Sequence, residues 1–472
     1  MNRLCRWYAV LAVTLLLSAC ATPGVEPERR PLSDPATLAT ERTLGGVPLS
    51  EAGWPKADWW RTLGDPQLDR LIDLAVAGNP SLAVARARLD RAKAGVIFAE
   101  SQLRPEAIGT LDMTYQRFSD SGSFQGGTAG EWQWQNRLAL DLAWDLDLWG
   151  RNRAALRAAV GQVRASEVDV FAARLALTTG VARVYVELNR LHDQADVARA
   201  LVKHRAAVLA LTRKRFDAGI DSQVESTQAQ AALPSARAEL TAVEESIALM
   251  RNLVAALTGR GPDETLDLER PKIAAGETLV LPANLPADLM GRRPDLVAHR
   301  WRVEAAAQKI EVARAQFYPN VNLIGFVGLS SFGLTNFISR GAAIAGVGPA
   351  VRLPLFDGGQ LRADLAGTRA DYDLAVEQYN QTLLDAVREV ADQVTSLRAL
   401  AARRADQSRA LEGFRKAYDL ALLRYREGLG NYLQVLDAEV QLLRESRIAA
   451  DLKSREIDLS IGLVRALGGG FE

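Results

Sequence analysis

The chain is written twice. Asn79, Pro80, Ser81 and Leu82 return as Arg293, Pro294, Asp295 and Leu296, and Pro105, which closes the helical run that follows, returns as Pro319 at the same offset of 214. Farther along, Arg215, Phe216, Asp217, Ala218 and Gly219 are echoed by Arg424, Tyr425, Arg426, Glu427 and Gly428 at an offset of 209, which carries Val224 onto Leu433 and Ala229 onto Ala438. This is an internal duplication. Each half holds only two stretches able to serve as membrane strands. Four strands cannot close a barrel, for which about eight is the usual minimum, so a membrane-spanning form requires several chains.

The strands are read from alternation. From Leu140 to Leu148 the even positions Leu140, Leu142, Trp144, Leu146 and Leu148 are apolar, while the odd ones are Asp141, Ala143, Asp145 and Asp147. Such a segment has one aqueous and one greasy face. Val347, Val351, Leu353 and Leu355 alternate with Gly348, Ala350 and Arg352; Leu111, Met113 and Tyr115 alternate with Asp112, Thr114 and Gln116. The fourth strand, from Val321 to Leu329, has its faces blurred by Gly325 and Gly328. Strands are placed at about 107–118, 136–149, 320–331 and 345–356, paired as one hairpin per half with long glycine-rich and aromatic loops. Asp141, Asp145, Asp147 and Arg352 are assigned to a water-filled lumen, and Trp132, Trp134 and Trp149 to strand ends. A soluble antiparallel sheet alternates likewise, so alternation alone leaves that reading open.

Between Asn152 and Phe216 there is no proline, and Val163, Val170, Leu177, Val184 and Leu191 recur at sevens beside a second row of Val181, Leu188, Val202, Leu209 and Phe216. The second half repeats this seam as Val390, Leu397, Leu411, Tyr418 and Tyr425. At 1.5 Å per residue such a helix reaches roughly 100 Å. Each long helix turns at Gly219 or Gly428 and a second helix returns, over 222–257 and 431–467, with Pro234 expected to kink the first. Shorter helices are placed at 66–77, 81–103 and 295–317. The first repeat covers 56–265, a connector 266–290, and the second repeat 291–468.

Arg3 and Arg6, then an apolar run from Trp7 to Leu17, then Leu17, Ser18, Ala19 and Cys20, read as a signal peptide over 1–19. The last four resemble the bacterial lipoprotein box, in which the cysteine is acylated; Ala21 after Cys20 fits outer-membrane sorting. Cys5 and Cys20 are the chain's 2 cysteines, and with Cys5 removed and Cys20 acylated no thiol is left for disulfides, metal or catalysis. Residues 20–55, with six prolines from Pro23 to Pro55, read as an extended acylated tether. Lys plus Arg and Asp plus Glu are both 57, which argues against a nucleic-acid partner.

Asp145 and Asp147 could be taken for a metal-binding pair, but they share the wet face of a strand whose other face is apolar, as a pore lining requires. His192, His204 and His299 are scattered singly. No catalytic triad, metal site or cofactor motif is present in the sequence.

With the lipoprotein box, the Asn79 to Leu82 opening, Arg424 to Gly428, and Tyr432, Leu433, Gln434, Val435, Leu436, Asp437 and Ala438 in view, the chain resembles the TolC family of outer-membrane efflux ducts, in its acylated OprM-like and NodT-like branch. The resemblance covers essentially the whole mature chain. It implies a mainly α-helical fold, a homotrimer with a twelve-stranded outer-membrane barrel continued by an α-helical periplasmic tunnel, and no enzymatic activity. It also implies a periplasmic adaptor (a membrane fusion protein) and an inner-membrane pump, commonly of the resistance-nodulation-division class. In that family the periplasmic mouth is closed by acidic rings and links between hairpins. Asp437 matches the ring aspartate, Gln434 stands at the preceding ring position, and Glu225 matches an aspartate that bonds the tyrosine represented by Tyr425. Phe216 sits beside this gate, and Gly219 and Gly428 mark the turns an adaptor touches. The expected role is a passive exit duct for small molecules. The rivals are a duct for type I protein secretion and a lipid-anchored periplasmic coiled-coil scaffold.

Overall fold

The structure is a computed structural model that describes residues 30–45, 49–50, 54–120, 129–273, 281–282, 289 and 291–471. The signal peptide, Cys20 and the first part of the tether lie outside these residues. In order, the elements are α1 (Glu41–Leu44), β1 (Leu49–Ser50), α2 (Pro66–Gly78), α3 (Pro80–Ser101), β2 (Glu106–Arg117), β3 (Trp132–Asp145), α4 (Arg151–Asp217), α5 (Gln223–Leu257), β4 (Leu281–Pro282), α6 (Pro294–Ala315), β5 (Asn320–Phe332), β6 (Ala343–Arg352), α7 (Gln360–Arg426) and α8 (Tyr432–Ala466), with single 3-10 turns between some of them. The duplication is literal: α4 and α7 each have 67 residues, α5 and α8 each have 35. Helix α5 continues unbroken through Pro234.

Two compact units are formed, one from residues 88–167 and 298–379 and the other from 33–87, 168–297 and 380–472. The first contains the sheet, ordered β2-β3-β5-β6 and antiparallel throughout. Its register sorts the side chains as alternation predicts. Leu138, Leu140, Leu142 and Trp144 share a face with Leu111, Leu329, Val327, Leu323, Val347 and Val351. Leu111, Leu138, Leu140, Val327, Val347 and Val351 on it are exposed. The other face carries Thr110, Asp112, Arg137, Asp141, Asp145, Asn322 and Arg352. Gly328 is required by close approach, because a Cβ there would stand 2.1 Å from the Leu138 carbonyl oxygen. Gly346 lies under the Phe326 ring, a side chain rather than backbone.

The ends of β3 and β6 differ from expectation, β6 running from Ala343 to Arg352 so that Leu353 and Leu355 lie beyond it. β3 starts at Trp132 and stops at Asp145, because Trp132 and Trp134 extend the alternation backward and the chain turns at Asp147, whose φ is +48°. Asp147 is therefore not a lumen residue. It is buried and accepts from the Asn152 and Arg153 amides, capping the start of α4, with the Arg153 side chain at 3.1 Å. Asp145 accepts from the Asp147 amide and pairs with Arg151 at 2.7 Å; Asp141 pairs with Arg137 and accepts from Thr110. The described part of the tether is not wholly extended either: it contains α1 and a 3-10 turn, and is fastened to α7 by Arg30–Glu377, by the Ser33 amide on Asn380, and by Arg398 on the Thr43 carbonyl.

The second unit is built on an apolar cluster of Trp59, Trp60, Leu68, Ile72, Val181, Tyr185, Val254 and Ile461. Tyr185 donates to Asp65, the residue that caps α2. Arg293, buried at the entry of α6, is neutralised by Asp295 and Glu389 and also donates to the Ala466 carbonyl. The Arg293 guanidinium is one charge that holds the half-buried Asp295 carboxyl below its ordinary range despite desolvation.

Candidate functional site at the hairpin tips

Both long helices end by the same local chemistry. Gly219 and Gly428 adopt φ of +74° and +75°, a left-handed conformation that closes a helix and that side chains resist. The Ile220 amide returns to the Arg215 carbonyl at 2.9 Å, and the Leu429 amide to that of Arg424 at 2.8 Å. Ser222 and Asn431 then cap α5 and α8.

Around these turns a buried knot joins the two repeats. The Tyr425 hydroxyl donates to Asp221 Oδ2 at 2.6 Å and lies 2.9 Å from Thr212 Oγ1. Arg215 grips the same carboxylate through Nε at 3.0 Å, donates from Nη1 to the Tyr425 carbonyl at 2.8 Å, and lies 4.5 Å from the centre of the Tyr425 ring. Tyr425 and Thr212 are fully buried. Burial first, then the Asp221 hydrogen bond, pushes the Tyr425 hydroxyl up to about 12, so it stays a donor at every physiological pH.

The family resemblance implies Glu225 as the partner of Tyr425, and the structure places Asp221 there. Glu225 is half-buried and turned back on its own helix, accepting from the Ser222 amide at 2.9 Å and from the Ser222 hydroxyl in a capping box. That bonding, chiefly from the Ser222 side chain, holds the carboxyl below its ordinary range. The knot is one-sided. The duplication carries Phe216 onto Tyr425, Thr212 onto Ala421 and Asp221 onto Gly430, so the reciprocal set of polar groups is missing. Phe216 itself is partly exposed and is not drawn into the knot. Asp437 and Gln434, one turn apart on α8, are both exposed, and Asp437 has no ion-pair partner among the described residues.

Three turns above the tip, Arg205 on α4 pairs with Glu439 on α8 at 2.7 Å, both nearly out of solvent, beside a 2.9 Å contact between His204 Nδ1 and the Tyr418 hydroxyl. Among the described residues Glu439 Oε1 and Arg205 Nε lack hydrogen-bond partners. Burial raises the Glu439 carboxyl above its ordinary 4.5, and Arg205 offsets this only in part. A folded value above the unfolded one means that this carboxyl's contribution to stability is full below 4.5 and is lost as pH rises through the folded value. Glu439→Gln is expected to flatten that dependence: melting of the detergent-extracted protein at matched scan rate should fall less between pH 4.5 and 7 than in the parent. Equal slopes would contradict the assignment.

The sequence matches the profile of the family described as Outer membrane efflux protein over residues 71–260 and 285–469. It is 33% identical over 479 residues to the multidrug resistance outer membrane protein MdtP of Escherichia coli O6:H1, covering 98% of this chain and 96% of that one. It is 38% identical over 371 residues to the fusaric acid resistance protein FusA of Burkholderia cepacia, covering 77% of this chain and 69% of that one. The solved outer membrane protein VceC of Vibrio cholerae shares 39% identity and a TM-score of 0.83 over 89% of this chain and 100% of that one. Because the matched segments take in both sheet hairpins and both helical tips, the chain belongs to the outer membrane efflux protein family and is a non-enzymatic outer-membrane channel of TolC-like fold with a periplasmic helical part.

Proposed function

We propose that the chain is the passive exit duct of a tripartite system that expels small molecules, working as a homotrimer whose three sheets close one twelve-stranded barrel. One observation carries this reading: the sheet has a greasy exposed face and, among the described residues, two unpaired edges, β2 and β6, which further copies of the same chain can satisfy in lipid. An apolar groove of about 570 Å3, lined by Phe98, Ala99, Ala158, Ala305 and Val312, adds a helical recess suited to a neighbouring copy. The drug-type relatives MdtP and FusA favour small molecules over secreted proteins as cargo.

The tips form the periplasmic mouth. The knot of Asp221, Tyr425, Thr212 and Arg215 holds the second hairpin against the first in the resting state, and Asp437, with Gln434 before it, forms a ring of like charges that repels and binds cations. Ile220, Val224, Leu429 and Leu433, exposed beside Gly219 and Gly428, offer an apolar landing for an adaptor, which biases the helices toward an open packing. The pump behind that adaptor is of the resistance-nodulation-division class.

Cys20 is the lipid attachment site. Arg30 is fixed to Glu377, which lies 17 positions beyond the first residue of α7, about 26 Å along the helix. Ten residues of chain span at most about 35 Å, enough to bring Cys20 to the rim of the sheet where a bilayer surface would be. Cys20→Ser should remove lipid labelling while the outer-membrane oligomer persists. Persistent labelling would exclude Cys20 as the acceptor. The whole reading is tested by fractionation and unheated gels: an outer-membrane band that migrates as a heat-sensitive oligomer is expected, whereas a periplasmic scaffold predicts neither.

A further inference from the structure

The two free edges of the sheet carry opposite, unpaired charges at the same end. Glu106 opens β2 and Arg352 closes β6. Register sets both on the polar face: Glu106 lies across from Ala143, two places from Asp141, and Arg352 lies across from Asn320, two places from Asn322. Both are exposed, and among the described residues neither has a hydrogen-bond or ion-pair partner. Of the other charges on this face, Asp141 pairs with Arg137 and Asp145 with Arg151, while Asp112 lies directly across from Arg137.

We propose that Arg352 of one copy meets Glu106 of the next, an ion pair repeated at every seam that fixes the register in which the copies join. This rests on the closed-ring reading above. Starting at Glu106, the ladder leads through Ala143 and Ile324 to Gly348 on β6. In a closed barrel the strand beyond β6 is β2 of the next copy, displaced by the shear contributed by one chain. That shear is even, because an odd one sets a lipid-facing side chain across from a lumen-facing one. With a rise of about 3.3 Å and a strand spacing of about 4.8 Å, a shear of about four residues per chain gives a tilt of about 35°, and about six gives about 46°. These bracket the tilts that membrane barrels adopt, roughly 35–45°. Tilt depends on shear per strand, so the number of copies does not enter.

The direction of the shear is set by overlap. Displacement toward the end of β2 keeps all of β6 paired, whereas the opposite displacement leaves partners for Ala343 and Ile344 at most. At the smaller shear Arg352 then stands directly across from Glu106. At the larger it stands across from Ile108, with Glu106 its diagonal neighbour at about 7–8 Å between Cα atoms, within reach of two long side chains. Asp112 falls across from Gly346 or Gly348 and is out of reach in both.

Charge exchange and cross-linking on the full chain test this. Glu106→Arg and Arg352→Glu should each lower the temperature at which the SDS-resistant oligomer dissociates, and the double exchange should restore it. With Glu106→Cys and Arg352→Cys combined, a bismaleimide of about 8 Å should give a covalent ladder of oligomers, while Asp112→Cys with Arg352→Cys should give none. Failure of the double exchange to rescue, or cross-linking at Asp112 in place of Glu106, overturns the seam. Those results arise in a chain that still assembles, so they leave the closed ring standing; an unaltered chain that forms no oligomer removes the ring and the seam together.

Discussion

Asp221→Ala should open the channel. In single-channel recordings of the purified oligomer, conductance is expected to rise well above that of the parent. The reason is what the substitution strands: Arg215 and the Tyr425 hydroxyl are nearly excluded from water and share the Asp221 carboxylate. Removing one partner of such a buried charge pair typically costs about 3–5 kcal/mol, because the other charge is left uncompensated. If most of that cost falls on the packing that holds the tips together, the ratio of closed to open moves by roughly a hundredfold or more. Tyr425→Phe removes a neutral donor from a carboxylate, a loss of about 1.5–3 kcal/mol, so its effect should have the same sign and be smaller. Glu225→Ala is the discriminating control. It loses a cap at the start of α5, worth about 0.5–2 kcal/mol, and should leave conductance nearly unchanged. A conductance increase with Glu225→Ala but not with Asp221→Ala would refute the placement of the knot.

Gly328→Val should abolish assembly. The added Cβ would meet the Leu138 carbonyl oxygen at 2.1 Å and the Ala139 Cα at 2.6 Å, both backbone atoms of the paired strand, which cannot swing aside as a side-chain tip can. Overpacking usually costs about 1–3 kcal/mol, and a collision with backbone in mid-ladder exceeds that. With β3 and β5 forced apart, the two halves of the sheet separate, and neither hairpin alone can survive in lipid. Gly348→Ala on β6 has nothing within 4 Å of its new methyl and serves as the tolerated control. The check is the amount of SDS-resistant oligomer in outer-membrane extracts: expected absent for Gly328→Val and close to parent for Gly348→Ala.

The long elements were legible because their signals are long. A proline-free run with two heptad rows specifies a helix over many turns, and the glycine echo marks where it ends; α4 and α7 stop two residues before Gly219 and Gly428. Sheet faces were legible for the same reason, since alternation over ten residues averages out single exceptions. The errors fell where one residue decides. Asp147 continued the alternation on paper but follows the last paired residue of β3, where a carboxylate just before a helix does more as a cap than on a strand. Glu225 follows from the family resemblance alone, although Ser222 with Glu225 three positions later is itself a capping signature that withdraws that carboxylate from distant partners. Asp221 carried no pattern of its own. Its role comes from a turn that folds it back beside Arg215, a contact no periodicity encodes.

The central claim is that one chain is a fraction of a channel. Native mass spectrometry of the detergent-extracted protein, released from its micelle under gentle activation, measures this directly. The account predicts a species of three copies as the dominant assembly; a single copy that keeps its four-stranded sheet intact would contradict it.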